Sequence, residues 1–262
     1  MSLTKSISQF IDNTLIDLGR QFRWSYLPPL MIYVAAGISG LTGIVGVFFI
    51  KDYLNLSAAF LAGLGFWAGI PWALKMPLGH LVDLIWQRKN YLVFVGAGLI
   101  ALSVIIMYGL IIHTETMASI LKVETWFIVS ALLAPVGYVT QDVVADAMTV
   151  EAVPSTDDQG NKYSTQQIKI MHTTMQTLGR FAIIGGFVLV ALVNVVMFTG
   201  VSALSEPEKI EIYGRIYLYA LIIPIVSVSG VFLAMYLKRQ RLEKLKKSGV
   251  SDEELKKLMT EF

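Results

Sequence analysis

Residues 91–112 read YLVFVGAGLIALSVIIMYGLII, an apolar run without a single charge. As a helix rising 1.5 Å per residue it reaches about 33 Å, enough to cross a hydrocarbon core of about 30 Å. Five more runs of spanning length lie on either side of it, at about residues 27–50, 58–81, 126–148, 171–198 and 212–237. Backbone amides find no water inside a bilayer, so runs this long are read as helices that satisfy their own hydrogen bonds. The expected fold is therefore all-α, a polytopic protein with six transmembrane helices. Composition agrees, with 55% hydrophobic residues among 262 and a mean hydropathy of +0.63, values that describe a membrane chain as a whole.

The formal charge is only +2, yet eight of the 21 Lys and Arg residues fall within residues 238–257. A basic segment beside a span is a topology signal, so no nucleic-acid partner is expected. Lys5, Arg20, Arg23, Arg88, Lys89, Lys162 and Lys169 fall on the same side as that tail, whereas Lys51, Lys122, Lys209 and Arg215 fall on the other. Both ends are accordingly expected in the cytoplasm, with the protein multi-pass in the cell (inner) membrane. The absence of cysteine removes disulfides, thiolate metal sites and cysteine nucleophiles. His80, His113 and His172 are scattered and share no helical metal spacing, so neither a metal nor another cofactor is expected.

Three segments follow. Residues 1–26 place Leu3, Ile7, Phe10, Ile11, Leu15, Leu18 and Phe22 at spacings of three and four, an amphipathic helix suited to the inner leaflet. Residues 27–237 form the six-span membrane domain. Residues 238–262 form a basic cytoplasmic tail, with Gly249 ending one helical stretch and residues 251–254 beginning another with a capping box. That tail reads either as a docking element for a partner or as a solvated linker. Gly37, Gly40, Gly43 and Gly46 recur at a spacing of three in the first span, compatible with a packing seam or with a flexible cavity-lining helix.

Charges inside the spans decide where function is sought. Lys75 lies in span two, Asp142 and Asp146 one turn apart in span four, and Arg180 in span five. Each costs about 2.5–3.5 kcal/mol at mid-span, so pairing or an aqueous cavity is expected. Asp142 and Arg180 sit at matching depths, each about 15 Å in from the loop between spans four and five, which makes them candidates to pair. The aspartates read either as a proton carrier or as one capped group and one static partner of Arg180. Lys75 reads either as a substrate-facing cation or as a side chain snorkelling to the interface. Tyr33, Trp67, Trp72 and Tyr138 read either as binding residues or as anchors, because aromatic residues also anchor spans at the interface.

Gly79, Leu81 and Asp83, followed by Arg88 and Lys89 in GHLVDLIWQRK, resemble the loop motif of the major facilitator superfamily, with Leu84 where that motif carries a basic residue. LGFWAGIPWALKMPLGHLVDL, RKNYLVFVGAGL, QDVVADAMTVE and MQTLGRFAIIGG occur in the order and on the spans of the folate/biopterin transporter family within it. The resemblance covers about residues 30–195. It implies a secondary carrier of folate, biopterin or a related pteridine, working by alternating access with possible proton coupling. It implies a substrate or proton pathway through Lys75, Asp142, Asp146 and Arg180, and a conformational loop motif of Gly79, Asp83, Arg88 and Lys89. It also implies that this chain is one half, two inverted three-helix repeats, that needs a second half, covalent or a dimer partner. The alternative is a non-transporting membrane scaffold whose tail binds a partner. An enzyme is not expected, since no nucleophile and base pair, metal cluster or phosphate loop is visible.

Overall fold

The computed structural model describes residues 17–49, 56–157 and 161–247. Of the amphipathic helix expected over residues 1–26, residues 1–16 lie outside the described residues, Asp17–Arg20 is helical, and the helix ends before Phe22; the second tail helix near residues 251–254 also lies outside the described residues. Among the described residues, six helices are long and apolar enough to cross a membrane: Trp24–Val47, Ala58–Leu84, Asn90–Ile112, Val123–Ala152, Thr165–Phe198 and Glu206–Lys246, here spans one to six. Among the described residues there is no strand, only an isolated bridge between Thr156 and Lys162 in the loop after span four. The chain is an all-α, multi-pass membrane protein.

Spans five and six start several residues before their apolar runs because capping sets a helix start where water is present. Ser164 and Gln167 form a capping box ahead of Thr165, and Ser205 and Glu208 form another ahead of Glu206. At the other end, the last helix continues unbroken to Lys247, past the boundary expected at residue 238.

Three spans are interrupted. Span one is α-helical over Leu27–Gly37, tightens to a 3₁₀ turn over Ile38–Thr42, and resumes as α over Gly43–Phe49. Span two breaks at Leu74, between Ala58–Ala73 and Lys75–Leu84. Pro77 lies just downstream; it lacks an N–H and its ring crowds the carbonyl of Ala73, four residues before it, which weakens the helix at the break. Span six bends at Leu221, between Glu206–Ala220 and Ile222–Lys247.

Close approach of backbones holds the bundle, as expected where lipid tails are as apolar as the helices. Spans three and four cross at Gly96 and Gly137, where a Cβ on either would lie 2.7 Å from the other's carbonyl oxygen. Two turns further, Ser103 Oγ donates to the Ser130 carbonyl at 2.8 Å and Ser130 Oγ donates back to the Ser103 carbonyl at 3.0 Å. Gln141 Nε2 donates to the Val93 carbonyl at 3.1 Å and to Ser227 Oγ at 2.9 Å, which ties spans three, four and six. Spans one and five meet at Gly37 and Gly186, where a Cβ on Gly186 would stand 2.7 Å from the Gly37 backbone. The glycine stripe of span one thus serves packing at Gly37, while a Cβ at Gly43 would meet nothing within 4 Å.

Span four is the organising element. It turns Val139, Val143, Val144 and Met148 into the core against Val82, Val93 and Met175. Beside that buried surface, the same helix turns Asp142 and Asp146 toward a cavity.

Candidate functional site

Those two carboxylates point into a cavity of about 590 Å³ walled by spans one, two, four and five. Each wall contributes a helical stripe: Tyr33, Ala36 and Ser39; Trp72 and Lys75; Asp142 and Asp146; Gln176, Arg180, Ile183 and Phe187. The spacings of three and four within every stripe put these residues on one face of each helix.

Lys75 is the centre of the site. Its Nζ stands 2.6 Å from Asp142 Oδ2 and 2.9 Å from Asp146 Oδ2, so one ammonium is shared by two carboxylates. The break at Leu74 makes Lys75 the first residue of a new helix, where the positive end of the helix dipole disfavours a cation. The two aspartates offset that penalty. Water reaches the group unevenly: the side chain of Asp142 is 12% exposed and that of Asp146 47%.

Tyr33 holds the second aspartate from the other side. Its hydroxyl donates to Asp146 Oδ1 at 2.6 Å, and its ring lies in a notch left by Gly179, where a Cβ would come within 2.9 Å of the ring. Behind it, Gln176 Nε2 donates to Thr149 Oγ1 at 3.3 Å, and Thr149 Oγ1 donates to the Asp146 carbonyl at 2.6 Å. Arg180 is exposed on the same cavity wall and forms no ion pair among the described residues.

The structure therefore brings Lys75, Asp142, Asp146 and Arg180 around one cavity, with a pairing other than the one that matching depth suggested. Asp142 meets Lys75 instead of Arg180, because span two packs along that face of span four. Of the four aromatic candidates, Tyr33 and Trp72 line the cavity; Trp67 is 61% exposed outside it, and Tyr138 packs into the core around Ile100 and Tyr217. Sequence reasoning missed Gln176 and Phe187. Their spacing of four and seven from Arg180 was the available signal.

The loop-motif residues lie apart from this cavity. Asp83 and Arg88 are exposed, and a Cβ at Gly79 would be 4.0 Å from Val143 Cγ1. Lys89 is different: only 3% exposed, it pairs with Glu151 at the end of span four, donates to the Trp86 carbonyl at 3.2 Å and sits 3.9 Å from the centre of the Trp86 ring. Burial pulls the Lys89 ammonium below the usual lysine range, against the opposing pull of Glu151. Glu151 carried no role in the sequence reading.

No family model matches the chain, and no solved structure matches it. A protein of Synechocystis sp. named "Folate-biopterin transporter" is 30% identical over 138 residues, which take in 51% of this chain and 26% of that protein. The chain spans about a quarter of the length of this relative.

Proposed function

We propose that this chain is one six-span half of a major-facilitator-type secondary transporter for folate, biopterin or a related pteridine, proton-coupled and working by alternating access. The observation that carries the reading is the division of charge in the cavity. Lys75 is held between Asp142 and Asp146, while Arg180 stands on the facing wall without a carboxylate partner among the described residues. Arg180 is the cation left for an anionic substrate, and Trp72 and Phe187 offer aromatic surface to a flat ring.

A coupling scheme follows from the charges. Two aspartates, Lys75 and Arg180 sum to zero. A proton added to Asp142 or Asp146 removes one of the carboxylates that hold Lys75 and frees its ammonium to join Arg180 on the substrate. One proton and one negative charge then load together and leave the net charge unchanged, which favours crossing a low-dielectric core. Tyr33 donates to Asp146 Oδ1, so that carboxylate stays held on one oxygen when Lys75 lets go of the other.

A second half is needed because the cavity is left open between spans two and five. Spans two and five flank it without an extensive seam between them among the described residues, and their apolar windows are 0% and 17% buried. A second six-span unit in the same orientation, from a longer chain or a second copy, would close the cavity. In this reading both ends face the cytoplasm, the membrane is the cell (inner) membrane, residues 27–237 are the transport unit, and Gly79, Asp83, Arg88 and Lys89 form the conformational loop motif, with Lys89 as its fixed anchor on Glu151.

The test starts with binding. Folate or biopterin added to the detergent-purified chain should raise its Tm, and Arg180→Gln should remove that shift without lowering the Tm of the free protein. In proteoliposomes, Asp142→Asn should abolish the part of uptake driven by a proton gradient. Uptake by Asp142→Asn that still responds to the gradient as the parent does would remove the aspartate from the mechanism.

A further inference from the structure

Span five extends the charged cavity toward its own first turns. An open hollow of about 510 Å³ runs along the start of this helix, with Lys169, His172, Thr173 and Gln176 in its lining. Gln176 lines the charged cavity as well, so the two hollows meet at that residue. Lys169, Thr173, Gln176 and Arg180 follow one another at spacings of three and four, which sets them on one face of the helix.

We propose that this stripe is the entry path of a small organic carboxylate, with Lys169 as the first cation it meets and Arg180 as the last; the inference rests on the reading of the cavity as a site for an anion. Three features support it. Lys169 is exposed and, like Arg180, forms no ion pair among the described residues, and no carboxylate lines the hollow in which it stands. A cation in a groove without a counter-charge raises the local concentration of anions and steers them inward. The donors on the path are the ones an anion can use. Thr173 Oγ1 donates to the Lys169 carbonyl at 3.0 Å and Thr177 Oγ1 to the Thr173 carbonyl at 2.9 Å, so both hydroxyl protons are committed to the helix itself, and Lys169, His172, Gln176 and Arg180 are left to meet a passing carboxylate. The junction is also fixed in place, since Gln176 Nε2 donates to Thr149 Oγ1 on span four at 3.3 Å. Lys169 and Arg180 lie about 16 Å apart along the axis, and Gln176 stands between them, about 10 Å from the first cation and one turn from the second.

The chain contains no cysteine, so a single introduced thiol can be followed without background. The experiment uses the full chain in nanodiscs at an ionic strength of about 0.01 M, where screening is weak. The reporter is Q176C, and its rates of modification by an anionic and a cationic methanethiosulfonate of similar size are measured. Q176C should react readily with both reagents. V188C, at a position 53% exposed on span five that lines neither hollow, should react far more slowly with both. Adding K169Q removes one positive charge about 10 Å from the reporter and should lower the ratio of anionic to cationic rates about threefold. K162Q removes a loop cation that lines neither hollow and should leave the ratio within about 1.5-fold. T173C, one turn nearer the entrance, serves as the reporter if Q176C lowers the Tm. The proposal is overturned by reporters that react no faster than V188C, by a ratio that K169Q leaves unchanged, or by equal falls with K169Q and K162Q, which would reduce the effect to a diffusely basic face. The reagents probe the path whether or not folate or biopterin binds, so a failure here and an absent Tm shift with those ligands are separate results.

Discussion

Two lysines meet span four about two turns apart, and their surroundings could hardly differ more. Lys89 is 3% exposed and has one carboxylate, Glu151, with Trp86 beneath it. Lys75 has a side chain 38% exposed to a cavity and divides itself between Asp142 and Asp146. A closed one-to-one pair resists exchange, because removing either partner strands a buried charge. A shared ammonium in an open cavity can give up one carboxylate and keep the other. The first arrangement suits a fixed structural tie, the second a site that trades protons and anions.

The largest expected effect breaks the closed pair. Glu151→Gln leaves Lys89 buried and unmatched and should cost about 3–5 kcal/mol of stability. Denaturant unfolding in detergent checks this, and a loss below about 1 kcal/mol would mean that Lys89 is as adaptable as Lys75. Lys75→Gln should cost less, about 2 kcal/mol, between the exposed and buried limits for ion pairs, while abolishing ligand-induced stabilisation. Combining it with Asp142→Asn in a double-mutant cycle should give a coupling above about 0.5 kcal/mol. Strict additivity would contradict the 2.6 Å contact.

Smaller changes sharpen the picture of the open site. Tyr33→Phe keeps the ring in the Gly179 notch and removes only the bond to Asp146, for about 1 kcal/mol. Its more telling readout is ligand-induced stabilisation. Loss of the donor leaves the Asp146 carboxylate to Lys75, so the Tm rise with folate or biopterin should shrink, and an unchanged rise would limit Tyr33 to packing. Trp72→Ala should weaken pteridine binding by about tenfold, or ~1.4 kcal/mol, if the ring stacks on substrate. Trp67→Ala, outside the cavity, should leave affinity within about twofold. Equal effects of the two would indicate interfacial anchoring in both cases.

The reach of sequence reading differed between these regions for a physical reason. A charge in an apolar run is visible without coordinates, so Lys75, Asp142, Asp146 and Arg180 stood out. Their partners did not. Counting residues from a loop gives depth but leaves the rotation of each helix about its axis open, and depth alone matched Asp142 to Arg180. Lys89 sat within a recognisable loop motif, yet its burial was hidden, since a lysine next to Arg88 reads as an exposed topology signal. Tyr33 was one of four equivalent aromatics until the Gly179 notch singled it out.

By itself, the chain's sequence determined that it is a six-span helical membrane protein. Hydrocarbon forces a long apolar segment to satisfy its own backbone, and that requirement is local to each segment. Tertiary structure decided which charges meet and where the cavity lies. Those outcomes depend on how closely helices approach and how they are turned, set by the glycine crossings Gly96 with Gly137 and Gly37 with Gly186, and by the packing of span two on span four that brings Lys75 to two aspartates.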